Sequence, residues 1–183
     1  MLVWAGRRAG SLGAPALDDE AAGLAAALLR GEGRPGPRTV GGVALYLEAH
    51  RAPAELVIVG AGHIARPLCR VGAMLGFRVR VLDDRPEFAT RERFPEAEEV
   101  RRADFTDPFR GVEIGPETHL VLVTRGHKYD FEALRDLLLR DTLPGYVGMV
   151  GSRRRVRAAL ELLARDGIPR ERLLRVHAPI GLD

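Results

Sequence analysis

The segment Gly60-Ala61-Gly62-His63-Ile64-Ala65 follows directly on the apolar run Leu-Val-Ile-Val and opens a stretch with helical spacing. No other feature of the chain narrows its fold as far. A short run rich in β-branched residues reads as a buried strand. Gly60 then permits a tight turn, Gly62 lets the backbone approach a diphosphate, and the small Ala65 lets helix and strand pack closely. His63 and Ile64 lie where a helix N-terminus presents its amides to negative charge. Asp83 ends the next strand, close to the spacing of about 20 residues at which an acidic side chain bonds a ribose hydroxyl. Arg85, two residues on, suits a 2′-phosphate, so NAD and NADP both remain open. The bland alternative is that the glycines only turn a strand into a helix.

Beyond this unit the same alternation continues. Strands are expected at 56–59, 77–82, 99–101, 119–124 and 146–150, with a last one at 173–176. Helices are expected at 63–75, 130–140 and 152–166, the last capped by Ser152 and stopped at Gly167. Strands alternating with helices predict an α/β fold, a Rossmann-like doubly wound parallel sheet. Residues 1–50 read differently: a short hairpin built from 1–5 and 10–13, then a helix over 18–30 capped by Asp18 or Asp19. A glycine-rich linker at 31–37 follows, with an extended arm at 39–49. The expected division is a small N-terminal hairpin-plus-helix element at 1–50 and a cofactor-binding domain at 51–183.

Two further turns lie at carboxyl ends of predicted strands, where open parallel sheets bind ligands. In the first, Arg125, Gly126, His127 and Lys128 lead into a helix that Asp130 would cap. His127 could serve as an acid or base, and an exposed loop histidine fits equally well. In the second, Gly151 and Ser152 precede Arg153, Arg154 and Arg155. Cations crowded at a helix start sit at the wrong end of its dipole, a penalty of a few tenths to about 1 kcal/mol that a bound anion or nearby carboxylates would offset. A solvated charge run is the competing reading.

Charge and composition exclude other classes. Of 28 basic residues Lys128 is the only lysine, and the net charge is only +3. Basic and acidic residues interleave and few aromatics are available for base stacking, so no nucleic-acid role is expected. The five histidines and the single cysteine show no metal-ligand spacing, and no metal site is expected. Cys69 reads as a buried small apolar residue. No run approaches the length of a membrane span and the start has no secretory pattern, so a cytoplasmic protein is expected.

The motifs together resemble the C-terminal Rossmann domain of xanthine dehydrogenase accessory proteins of the XdhC/CoxI type. The resemblance covers 56–183 through Gly-Ala-Gly-His-Ile-Ala, Asp-Asp-Arg-Pro-Glu-Phe-Ala (83–89), Thr-Arg-Gly-His-Lys-Tyr-Asp (124–130), Tyr-Val-Gly-Met-Val-Gly-Ser-Arg-Arg (146–154) and His-Ala-Pro-Ile-Gly-Leu-Asp (177–183). It implies a non-catalytic maturation factor that binds molybdenum cofactor (molybdopterin) as cargo and delivers it to a molybdenum hydroxylase of the xanthine dehydrogenase or CO dehydrogenase type. The apo-enzyme, a cysteine desulfurase and a second copy of the chain are the partners it implies. Residues 1–50 are similar only to the tail of the family's N-terminal domain, which implies a fragment, a split gene or a partner supplying the rest. An NAD(P)-dependent oxidoreductase and a nucleotide-sensing module are the alternatives.

Overall fold

The structure, a computed structural model, describes all residues except Ala5, Arg51, Ala52, Phe105, Leu182 and Asp183, together with all side chains but those of His127 and Lys128 among the rest. The chain divides into two compact units, Met1–Ala52 and Pro53–Asp183. Arg51 and Ala52, where the boundary is expected, lie outside the described residues, as do Leu182 and Asp183 of the last motif.

In the first unit, β1 (Leu2–Trp4) pairs antiparallel with β2 (Arg7–Ala9). The hairpin is therefore tighter than expected, because its return strand precedes Gly10. Helix α1 (Pro15–Leu29) begins three residues before Asp18, with proline in its first turn and Ala14 at its cap without a side-chain bond. Proline suits that position because its missing N–H would have no helical partner. Asp18 is thus not a cap. Its carboxylate accepts hydrogen bonds from Ser11 Oγ at 2.7 Å and the Leu12 N–H at 2.6 Å, which tie the incoming loop to the helix. The supposed arm is a second hairpin, β3 (Gly36–Val40) with β4 (Val43–Leu47). Gly41 and Gly42 turn it with φ of 56° and 80°, the pair of positive angles that a two-residue hairpin turn requires.

The second unit holds a six-stranded sheet in the order β10-β9-β8-β5-β6-β7, in which every pair is parallel. Its strands are β5 (Glu55–Val59), β6 (Arg78–Asp83), β7 (Glu99–Arg102), β8 (Thr118–Leu122), β9 (Tyr146–Met149) and β10 (Val176–His177). Alternation along the strands separates two cores. Val57, Val59, Leu120 and Leu122 pack with Leu134, Leu137 and Leu163 of α3 (His127–Leu139) and α4 (Arg153–Arg165) on one face. Leu56, Ile58, Val79 and Val81 pack with Ala65 and Cys69 of α2 (Ala65–Met74) on the other. Burial pushes the Cys69 thiol up to about 11, as befits a residue packed as a small hydrophobe. The sheet is doubly wound, a Rossmann-like α/β fold.

Two local expectations change. Residues 170–173 form a short helix, α5 (Arg170–Leu173), and the last strand follows it at Val176. Helix α3 starts at His127 with Gly126 as its cap, so Asp130 lies in the first turn and does not cap it. The β6-to-β7 connection is a chain of tight turns, pinned by the fully buried Phe94 and by Ala97, which returns its N–H to Phe94 O.

Candidate functional site at the strand-order reversal

The strand order reverses at β5, whose neighbours β6 and β8 are reached by connections running opposite ways. Crevices for ligands open beyond the carboxyl ends of strands at such a point. Gly60 leaves β5 there with φ of +106°, and a Cβ on it would stand 2.7 Å from Val123 O in the loop after β8. Only glycine lets the two loops meet this closely. Gly62, in contrast, has nothing within 4 Å of the place its Cβ would occupy. Its N–H and those of His63 and Ile64 have no hydrogen-bond partner among the described residues. They belong to the turn that leads into α2 and ends at its N-cap Ile64, and no protein atom among the described residues takes them up. The close helix-to-strand approach expected at Ala65 is real, since Ala65 is fully buried. It is shared with Gly72, where a Cβ would come within 2.5 Å of Leu56.

Asp83 faces inward, toward this turn. It is 1% exposed, and Oδ2 accepts the Ala61 N–H at 2.6 Å. Arg85 supplies the remaining bonds: its own N–H at 3.0 Å and Nε at 2.9 Å to Oδ1, and Nη2 at 2.9 Å to Oδ2. Burial raises the pKa of this carboxyl, but the bonds from Arg85 and Ala61 outweigh it and leave the pKa below the ordinary aspartate range. Beside it, Asp84 takes the guanidinium of Arg125 bidentately at 2.9 and 2.8 Å. The pair ties the end of β6 to the loop after β8, and Arg125 Nη2 also donates to Tyr129 Oη at 3.1 Å. Arg125 thus lies on the expected rim, with its fork already engaged.

The three arginines of α4 separate in role. Arg155 donates from Nε to Asp130 Oδ2 at 2.6 Å and from Nη2 to Thr124 Oγ1 at 3.1 Å. Asp130 is fully buried, so the carboxylate that compensates the misplaced cation comes from α3. Arg155 is therefore a structural tie, and the expected anion-binding role does not fall to it. Arg153 and Arg154 are exposed, Gly151 is half-buried, and Ser152 caps α4 by accepting the Arg155 N–H at 3.2 Å. The side chains of His127 and Lys128 lie outside the described residues.

Sequence reasoning missed Phe88 and Arg93, both in the turns after β6. The Arg85 guanidinium carbon lies 3.5 Å from the Phe88 ring centroid and that of Arg93 4.7 Å from it. Arg93 Nη2 donates to Ala61 O at 3.4 Å, which brings it to the glycine turn from 32 residues away. A groove of about 390 Å³ runs alongside, lined by His63, Arg66, Arg70, Glu92, Arg93 and Glu96 among others. Phe88 lies within the 83–89 motif without a role given to it, and for Arg93 the only available signal was the charge and proline content of the loop.

Residues 56–183 match the family profile described as the XdhC Rossmann domain. The chain belongs to that family. This XdhC Rossmann domain chain is 31% identical over 142 residues to the uncharacterized protein YqeB of Escherichia coli (strain K12), a match covering 77% of the chain and 26% of that protein. It is 27% identical over 116 residues to a protein of Bacillus subtilis (strain 168) named as a probable xanthine dehydrogenase subunit, covering 63% of the chain and 34% of that protein. The crystal structure of a xanthine dehydrogenase from Bacillus halodurans superposes with a TM-score of 0.60 at 30% identity, over 72% of this chain and 36% of the other. The XdhC chain thus spans about a quarter to a third of the length of its curated relatives. Among the described residues no helix is long and apolar enough to cross a membrane, and no group of three or more metal-ligating side chains gathers.

Proposed function

We propose that this chain binds the phosphate-bearing end of molybdenum cofactor and acts as a cytoplasmic maturation factor for a molybdenum hydroxylase, without catalysing a reaction itself. Family membership supports the reading, as does the name of the Bacillus subtilis relative. One observation carries it. Among the described residues the N–H groups of Gly62, His63 and Ile64 have no partner, and Gly62 opens on free space at the strand-order reversal, which is the arrangement that takes up a phosphate. The metal chemistry of the cargo belongs to the client enzyme. This chain's own residues bind the anionic end, orient the pterin along the crevice and release it. The apo-hydroxylase and a cysteine desulfurase are the partners proposed with it, and a homodimer is the proposed assembly.

The test is mass spectrometry of small molecules released from the folded protein, purified in parallel from cells that make molybdopterin and cells that do not. A pterin phosphate from the first preparation alone is the expected result. Pterin absent from both sinks the reading. NAD(P) is the second reading, favoured by the same position in the fold, and its release from both preparations would identify it.

A further inference from the structure

Asp83 stands where an acidic side chain reads a ribose diol in folds of this kind, yet it has no acceptor position left for one. A carboxylate offers about four lone-pair sites, and all are taken, by the Ala61 N–H and by three donors of Arg85. A ligand extending from the glycine turn past the end of β6 meets guanidinium groups in its place. Arg85 is 25% exposed along its side chain and stacked on Phe88. Arg93, half-buried against the same ring, has no carboxylate partner among the described residues, and its buried Nε has no hydrogen-bond acceptor. A cation withdrawn from water without a counter-ion is unfavourable, and that condition falls on Arg93, since Arg85 is paired with Asp83. A dianionic phosphate would supply the counter-ion that Arg93 lacks and accept from Nη1 of Arg85, the nitrogen that its bonds to Asp83 leave over, whereas a neutral diol would supply no charge.

Resting on the anion-binding reading of the glycine turn, we propose that the crevice past the end of β6 prefers a ligand bearing a phosphomonoester there, read by Arg93 and Arg85 beside Phe88, over one that presents an unmodified ribose diol at that place. NADP⁺ and NAD⁺ differ only by such a phosphate, so they are the probes, measured by calorimetry on the full chain. NADP⁺ should bind at least about tenfold tighter, a difference of roughly 1.4 kcal/mol. Arg93→Gln should bring the two within about twofold while the melting temperature stays unchanged, and Arg93→Lys should keep part of the preference. Equal or tighter binding of NAD⁺, or an undiminished preference in Arg93→Gln, overturns this inference alone, because both nucleotides still occupy the turn through their diphosphate. Failure of NAD⁺, NADP⁺ and inorganic pyrophosphate to bind at millimolar concentration overturns the anion-binding reading with it.

Discussion

Replacing Asp83 by asparagine keeps its shape but removes the charge that four donors converge on. It also turns an amide N–H₂ toward two of them, since each carboxylate oxygen accepts two. Hydrogen bonds to a charged group contribute about 1.5–3 kcal/mol, so Asp83→Asn should lose roughly 2–3 kcal/mol of stability. The pH dependence follows from the lowered pKa of this carboxyl. A group whose pKa falls on folding stabilises the fold above its unfolded value, about 3.9, and ceases to do so as pH drops through the lower folded value. The difference in urea midpoint between wild type and Asp83→Asn should be constant from pH 7 to about 5 and close below pH 4. A gap that closed above pH 5, or persisted undiminished at pH 2.5, would contradict this account. The acidic residue at the strand end was legible in the sequence because its spacing is local to one unit of the fold. Its engagement by Arg85 was not, since spacing cannot tell whether a side chain two residues on folds back. The same limit applies to Arg155, whose partner Asp130 lies 25 residues earlier.

At the scale of elements, the β5-to-α2 turn separates two glycines that look alike in sequence. Gly60 needs positive φ and meets backbone at 2.7 Å, whereas Gly62 opens on free space. A side chain at Gly60 carries roughly 1–3 kcal/mol of conformational strain, before the clash with Val123 is added. Gly60→Ala should therefore lower the denaturation midpoint by at least that amount. Gly62→Ala should stay within about 0.5 kcal/mol of wild type, as surface substitutions usually do, while weakening phosphate binding by obstructing the approach to the amides. Denaturation and ligand titration of both variants decide it, and a destabilised Gly62→Ala would mean that the turn is only structural. The strands and long helices were readable because apolar runs and helical spacing are local signals. The second hairpin was missed although Val40-Gly41-Gly42-Val43 carries a two-residue turn signal, because alternation through residues 39–49 is weak. The β6-to-β7 turns were not readable, since their path is set by burial of Phe94 and Ala97 and not by any period. With that path went the arrival of Arg93 at the glycine turn.

For the whole molecule, the distribution of buried residues sets what can fold alone. Every member of both core clusters lies within Pro53–Asp183, including Phe94, Phe109, Leu134 and Leu163. Within Met1–Ala52 the buried apolar residues, among those described, are Ala21, Leu28 and Val40, while Leu2 and Tyr46 are each 71% exposed. A unit of that size needs a well-filled core to offset about 1.5 kcal/mol of ordering entropy per residue, and three small or medium side chains fall short. The fragment 53–183 should therefore melt in one cooperative transition within a few degrees of the full chain, and a peptide of residues 1–52 should show no cooperative transition. Circular dichroism melts of the two pieces and the full chain measure both. If 53–183 failed to fold while the full chain did, the N-terminal unit would have to contribute to the stability of the sheet, and the second unit would not be self-sufficient. If it folds, the orphan amides of Gly62, His63 and Ile64 should be intact in the fragment, and it should bind phosphate as the full chain does, which places anion binding in the second unit alone.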